Sequence, residues 1–227
     1  MTRSATWELR SELGAAPLDW RPMNVFVLCT GRSGSTTFVR ACNHITNFSA
    51  GHETRCHFLG DERFAYPPDH IEADSRLVWL LGRLDEAYGD DVLYVHLTRD
   101  PAGVAQSLSQ RFAALGGIAP AYRDAILCNA SRLPKISRLD SSFDYVETAL
   151  ANIRLFLRDK TNVMDFALER AERDFAEFWD RIGAEGSYES AVGELRTRHN
   201  AGPPRHPPMR AARRFAARVG RAAWPPA

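Results

Sequence analysis

Two segments of the chain share one plan, in which a short apolar run leads through a tight turn into a helix pattern. Residues 24 to 29, which are Asn24 and five apolar residues, run into Thr30 and Gly31, and apolar residues at helical spacing follow from Thr36. Residues 92 to 98 form a second such run, which turns into a helix pattern opened by Pro101. Runs this short are typical of buried parallel strands. The repetition predicts an α/β fold.

The remaining patterns fit the same architecture. Leucine spacing predicts a helix over residues 74 to 89, and further helices are predicted over 144 to 158 and 169 to 184, with a strand over 162 to 168. Strands that alternate with helices predict a mostly parallel central sheet flanked by helices. A chain of 227 residues fits one domain of this kind. We therefore predict a single domain over residues 1 to 200.

Residues 201 to 227 differ in composition from the rest of the chain. They contain proline pairs and six arginines but no acidic residue, whereas the whole chain has a net charge of only +1. This segment is predicted to be a basic C-terminal tail, either a solvated terminus or a weak contact with an anionic membrane surface. No apolar stretch reaches the ~20 residues that span a bilayer, and the N-terminal residues lack an export signal. We expect a cytoplasmic protein, with membrane contact limited to this tail.

The first turn, "TGRSGSTT", has the features of an anion site. Gly31 and Gly34 allow the backbone to approach a ligand, and the following helix offers free N–H groups at its positive end. Arg32 adds a permanent positive charge in a forked geometry that suits oxyanions. The hydroxyl donors of this turn are Ser33, Ser35, Thr36 and Thr37. The predicted ligand is a phosphate or sulfate group.

Several better-known motifs do not fit this turn. A Walker A loop requires a lysine, and none is present. A nucleophile elbow, G-x-S-x-G, requires glycine where Ser35 stands. A phosphatase-like C-x5-R motif that starts at Cys29 also meets Ser35, where its arginine belongs. We predict no metal site, because His52, Cys56 and His57 are too close in sequence to converge on one ion without further ligands.

The turn does resemble the 5′-phosphosulfate loop of sulfotransferases, which use 3′-phosphoadenosine 5′-phosphosulfate (PAPS). Arg32 stands where carbohydrate-type members have arginine and cytosolic members generally have lysine. The second turn, "LTRDPAGVAQS", resembles the 3′-phosphate site of that family, with Arg99 at a strand end and Ser107 eight positions later. The glycine-rich segment that closes over the nucleotide in cytosolic members is missing.

The resemblance implies a P-loop-like sulfotransferase fold, PAPS as donor and its product 3′-phosphoadenosine 5′-phosphate (PAP). It implies catalytic roles for Arg32 and for Glu53 as the leading candidate for the general base, with His52 and His57 as the reserve candidates for that base. The nucleotide-binding residues that it implies are Arg32, Ser33, Gly34, Ser35, Thr36, Thr37, Arg99 and Ser107.

The acceptor implied by the resemblance is a hydroxyl of a small molecule, a glycan or a glycolipid, and we expect no nucleic-acid partner. Its pocket is expected in loops over residues 48 to 72 and 110 to 142. Two other functions remain open. One is a nucleotide-dependent kinase, although the first turn lacks the lysine and the magnesium-binding acid that a kinase needs. The other is a noncatalytic nucleotide-binding or partner-binding protein on the same fold.

Overall fold

The computed structural model describes residues 23–112, 117–128 and 136–197. Within these ranges, five strands form one sheet in which every neighbouring pair is parallel. The sheet order is β2-β3-β1-β4-β5. The strands are β1 (Val25–Cys29), β2 (Ser49–His52), β3 (His70–Ala73), β4 (Leu93–Thr98) and β5 (Val163–Ala167). The predicted α/β class and parallel sheet are confirmed.

Helices cover both faces of this sheet. They are α1 (Ser35–Cys42), α2 (Leu81–Tyr88), α3 (Pro101–Ser109), α4 (Ile118–Ala121), α5 (Arg138–Leu157), α6 (Ala171–Arg181) and α7 (Tyr188–Arg196). One apolar cluster joins α1, α6 and α7 to the sheet and includes Phe38, Phe175 and Phe178. The other joins α2, α3 and α5 to the opposite face and includes Phe26, Leu84 and Ile153. The domain therefore has three layers, with a helix layer on each side of the sheet.

The central strand β1 shows why its sequence is a continuous apolar run. All five of its residues are buried. Phe26 and Leu28 belong to one cluster, and Val25, Val27 and Cys29 belong to the other. Because successive side chains of a strand point to opposite faces, a strand between two helix layers needs apolar residues at every position.

Two parts of the chain differ from their predicted secondary structure. The segment over residues 48 to 72, predicted as loop, contains β2, a 3₁₀ turn (Gly60–Phe64) and the start of β3. The predicted helix over 74 to 89 begins instead with a 3₁₀ turn (Leu77–Trp79), and α2 starts only at Leu81. Residues 48 to 89 thus carry more regular structure, and a shorter second helix, than the sequence indicated.

The sheet topology brings the two predicted anion turns to one edge. Strands β1 and β4 are neighbours, with Val25 opposite Leu93 and Cys29 opposite Leu97, so they end together. After β1 the chain forms β2 and β3 on one side of that strand and then β4 on its other side. This change of direction places a crevice beyond the carboxyl ends of β1 and β4. The predicted tail over 201 to 227 lies outside the described residues. No helix in the described parts of the chain is long and apolar enough to cross a membrane.

Candidate functional site

The first turn folds tightly around Gly34. Gly34 has φ 104° and is the N-cap of α1, and Arg32 also has a positive φ of 72°. A β-carbon on Gly34 would lie 2.7 Å from the Leu168 Cδ1, closer than real contacts allow. Glycine is therefore required here both by the backbone conformation and by the approach of the segment after β5.

We expect Gly34→Ala to lower the stability of the fold, because Leu168 and the turn cannot both keep their places. The melting temperature measures this effect. The matched control is Gly82→Ala in α2, where an added β-carbon meets nothing within 4 Å. That control should be neutral or stabilising by about 0.5–1 kcal/mol. A Gly34→Ala protein that matches wild type would contradict the close packing described here.

The N-terminus of α1 is open toward the turn. It has no side-chain cap and no acidic residue in its first turn. The helix ladder begins with the Phe38 N–H, which donates to the Gly34 carbonyl at 3.0 Å. The N–H groups of Ser35, Thr36 and Thr37 precede that bond, so the ladder leaves them available for an anion.

At the N-terminus of α3, unlike that of α1, a side chain already binds the free N–H groups. The Asp100 side chain accepts hydrogen bonds from the N–H groups of Ala102 at 3.3 Å and Gly103 at 2.8 Å. An anion at the second turn must therefore be held by side chains rather than by the helix end. Arg99 and Ser107, the residues predicted from their spacing, supply a cation and a hydroxyl there.

The two predicted anion turns touch each other. Arg99 Nη1 donates to the Arg32 carbonyl at 3.2 Å, and Arg32 Nε donates to Ser107 Oγ at 3.0 Å. Residues 67 and 75 positions apart in the chain thus meet beyond the ends of β1 and β4. The structure brings Arg32, Arg99 and Ser107 into one crevice.

Several positively charged side chains lie close together in this crevice. Burial lowers the pKa of Arg32, and repulsion from Arg111 and then Arg99 lowers it further. Like charges this close favour a bound anion that neutralises them. Arg111 was not among the predicted site residues. It lies four positions after Ser107, just beyond the end of α3, and this helical spacing was the signal in the sequence.

The hydroxyl residues of the first turn have different partners. Ser33 is 1% exposed and donates to the Thr30 carbonyl at 2.7 Å, so its side chain braces the turn from inside. Ser35 Oγ lies 2.9 Å from His52 Nε2. Thr36 is half-buried and Thr37 is buried, both in the first turn of α1. His52, predicted as a catalytic residue, is therefore in direct contact with the loop.

Glu53 is also held beside the first turn. Its Oε1 accepts from Ser75 Oγ at 3.2 Å, and its Oε2 forms an ion pair with Arg76. Ser75 Oγ lies 4.0 Å from the point where a β-carbon of Gly31 would sit. His57, the other reserve candidate, is exposed and packs against Phe58. The Ser75 hydroxyl thus lies between the Glu53 carboxylate and the start of the first turn.

Three contacts at this edge were not predicted from the sequence. The first is the pair Ser75 and Arg76, which orients Glu53. The second is the Tyr145 hydroxyl, which accepts from the Gly31 N–H at 3.3 Å. The third is a buried ion pair between Asp74 and Arg63, which are 0% and 4% exposed. The sequence does contain a sign of this ion pair. Polar and apolar residues alternate in "HIEAD", which is a strand pattern with an unusually polar buried face.

Cys29, at the end of β1, has no features of a nucleophile. Burial raises the pKa of its thiol to about 12. A thiol in this environment stays protonated at neutral pH and is unreactive. The phosphatase-like alternative, which needs a thiolate at this position, is therefore disfavoured by the structure as well as by the sequence.

Comparison with known proteins supports the fold. No protein-family model and no curated protein matches this chain. Among solved structures, it is similar to mouse sulfotransferase SULT7A1 in complex with PAP, with a TM-score of 0.51 and 13% identity. That match covers 78% of this chain and 65% of the mouse chain, so this chain spans less than two thirds of the mouse enzyme.

A second similar structure is the sulfotransferase domain of the olefin synthase of Synechococcus PCC 7002, at a TM-score of 0.46 and 14% identity. That match covers 92% of this chain and 98% of that domain. Its TM-score is too low to carry further weight. The α/β domain described here thus has the P-loop-like fold found in sulfotransferases.

Proposed function

We propose that this protein is a PAPS-dependent sulfotransferase that transfers a sulfuryl group to a hydroxyl of a small molecule, a glycan or a glycolipid. The observation that carries this proposal is the contact between the two anion turns through Arg32, Arg99 and Ser107. PAPS has two anionic ends, and a single crevice with two adjoining anion sites suits such a molecule. The mouse enzyme of similar fold was solved with PAP.

The open end of α1 suits the phosphosulfate end of the donor. The N–H groups of Ser35, Thr36 and Thr37 at this helix end are available to one anion, and Arg32 belongs to the same turn. The 3′-phosphate is assigned to Arg99, Ser107 and Arg111. Arg111 is included because its positive charge is close enough to Arg32 to lower the pKa of that guanidinium.

Sulfuryl transfer needs stabilisation of the leaving group. A bond forms between the acceptor oxygen and sulfur while the bond from sulfur to the bridging phosphate oxygen breaks, and PAP leaves. Negative charge grows on the bridging oxygen in the transition state. Arg32 and the donors of Ser35, Thr36 and Thr37 are assigned to stabilise that charge.

The acceptor hydroxyl must lose its proton during transfer. We assign this role to the Glu53 carboxylate, which Ser75 and Arg76 orient at the edge of the loop. His52 contacts Ser35 and is assigned to orient that hydroxyl toward the donor. His52 is the last residue of β2 and Glu53 follows it, so one strand end would supply both the base and a loop-orienting group.

The proposal is tested by transfer of radiolabelled sulfate from PAPS. The acceptor panel is 4-nitrophenol, glucose and galactosylceramide, which stand for the three acceptor classes. We expect labelled product with at least one of them and release of PAP in equal amount. PAP binding without transfer to any acceptor would favour a noncatalytic nucleotide-binding protein. Phosphate transfer from ATP and magnesium, without transfer from PAPS, would favour a kinase.

We expect Arg99→Ala and Arg111→Ala each to weaken PAP binding about 10- to 100-fold, as loss of a charge-assisted contact to phosphate does. Their affinity for adenosine 5′-phosphate, which lacks the 3′-phosphate, should change little. Isothermal titration with both nucleotides measures this difference. The control is Arg158→Ala, an exposed arginine paired with Asp159 after α5. Equal loss for both nucleotides would move these arginines out of the 3′-phosphate site.

A further inference from the structure

The residue after Glu53 is tied to a buried carboxylate. Thr54 is exposed, but its N–H donates to Glu72 Oε1 at 2.8 Å and its hydroxyl donates to Glu72 Oε2 at 2.6 Å. Glu72 lies in β3 and is 0% exposed. A buried carboxylate must be matched by donors, and Thr54 supplies two of them.

Glu72 is itself held by a chain of polar contacts. His70 Nε2 lies 3.0 Å from Glu72 Oε2, and Ser49 Oγ lies 2.8 Å from His70 Nδ1. With the ring proton on Nε2, His70 donates to Glu72 and accepts from Ser49, so every group in the chain has a partner. Ser49 starts β2 and Thr54 follows its end. The buried carboxylate therefore fixes the strand at both ends.

Gly51 makes room for this contact. A β-carbon at Gly51 would overlap the Thr54 methyl group and lie 3.0 Å from Glu72 Oε2. The Thr54 side chain folds back across Gly51 to reach the carboxylate beneath it. A larger residue at position 51 cannot coexist with the bond between Thr54 and Glu72.

Glu53 lies between two fixed points. Its own N–H donates to the Ala73 carbonyl at 3.1 Å, and the next residue is bonded to Glu72. Its φ of 55° is in the left-handed region, which a residue with a β-carbon adopts only when its surroundings enforce it. This conformation aims the Glu53 side chain at Ser75 and Arg76.

We propose that Thr54 and Glu72 are positioning residues for Glu53. They hold the turn after β2 in the strained conformation that presents the Glu53 carboxylate to the acceptor. Neither residue touches the donor or the acceptor in this assignment. The inference rests on the proposed sulfuryl transfer, because it concerns the geometry of the base in that reaction.

The test compares Thr54→Val with Thr54→Ser. Valine keeps the shape of threonine and loses the hydroxyl donor, whereas serine keeps the donor. We expect Thr54→Val to lower kcat about tenfold with unchanged affinity for PAP, and Thr54→Ser to retain wild-type kcat. The position is exposed, so both variants should fold, and melting temperatures check this. Wild-type kcat in Thr54→Val would overturn the proposal.

A double-mutant cycle with Glu53→Gln separates positioning from general structural damage. If Thr54 acts through Glu53, adding Thr54→Val to Glu53→Gln lowers kcat no further. A further tenfold loss in the double variant would show an effect independent of Glu53 and overturn the proposal. Hydrogen exchange over residues 49 to 56 gives a readout that needs no turnover. It should be faster in Thr54→Val and Gly51→Ala than in Thr54→Ser.

The two proposals fail in different ways. A wild-type protein that transfers no sulfuryl group to any acceptor contradicts the proposed function, and the catalytic purpose of Thr54 and Glu72 falls with it. A wild-type protein that transfers normally, together with a fully active Thr54→Val variant, contradicts only the positioning role.

Discussion

The Glu53→Gln variant is expected to bind PAP as tightly as the wild-type protein and to lose about 10²- to 10⁴-fold in turnover. Glutamine has the size of glutamate, and its amide oxygen can still accept the Ser75 hydroxyl. It does not accept a proton at neutral pH and has no charge to pair with Arg76. Steady-state kcat with PAPS and the best acceptor measures the loss, and isothermal titration with PAP measures the retained binding.

A matched glutamate substitution controls for charge removal. Glu86 is exposed on α2 and takes no part in the crevice, so Glu86→Gln should leave turnover unchanged. Full turnover in Glu53→Gln would remove Glu53 as the base. The proton acceptor would then be sought at His52, whose ring is 2.9 Å from the Ser35 hydroxyl.

The strands that could be predicted are those whose buried positions hold apolar residues. The predicted runs over 24 to 29, 92 to 98 and 162 to 168 correspond to β1, β4 and β5. The strands β2 and β3 were missed for different reasons. Only Gly51 is fully buried in β2. All four residues of β3 are buried, but His70 and Glu72 among them are polar, and their burial depends on partners from distant segments.

The break before α2 could not be predicted either. The leucines at 77, 80, 81 and 84 fit one helix face, and the one glycine among them, Gly82, lies inside α2 and not at the break. In the structure, Leu80 leaves the helical region with φ −127° and ψ 19°, between the 3₁₀ turn and α2. Tertiary packing decides this break, and a local pattern carries no information about it.

The convergence of the two anion turns followed from topology alone. Parallel strands with ligand loops at their carboxyl ends place those loops on one edge, so Arg99 and Ser107 could be expected near Arg32. The direct bond from Arg32 to Ser107 could not be expected. Nor could the orientation of Glu53 by Arg76, because Arg76 follows a strand that the hydrophobic pattern did not reveal.

Breaking the buried ion pair at the end of β3 is expected to have the largest effect on stability. Removal of one partner from such a pair costs about 3–5 kcal/mol, because the other charge stays buried. Asp74→Asn or Arg63→Met should therefore lower the melting temperature on the order of 10 °C. Differential scanning calorimetry measures the shift. The control is Arg83→Met at the exposed pair with Asp61, which should change it little.

The ion pair should nevertheless contribute little net stability at neutral pH. Burial raises the pKa of the Asp74 carboxyl above 3.8 in spite of the bonds from Arg76 and Arg63. The folded protein thus holds this proton at pH values where the unfolded chain has released it. The stability that this bound proton contributes is fully present below pH 3.8. It is lost as the pH rises through the pKa of Asp74 in the folded protein. Asp74→Asn should abolish this part of the pH dependence of unfolding.

The double variant Arg63→Met/Asp74→Leu separates the structural role of the pair from its role at the site. It removes both charges, so we expect it to recover most of the stability that either single variant loses. It also removes the carboxylate that accepts from the Arg76 N–H at 2.8 Å. Since Arg76 orients Glu53, turnover should stay low in this stable protein, while PAP affinity remains that of the wild type. Recovery of turnover together with stability would mean that the Asp74 contact with Arg76 has no part in placing the base.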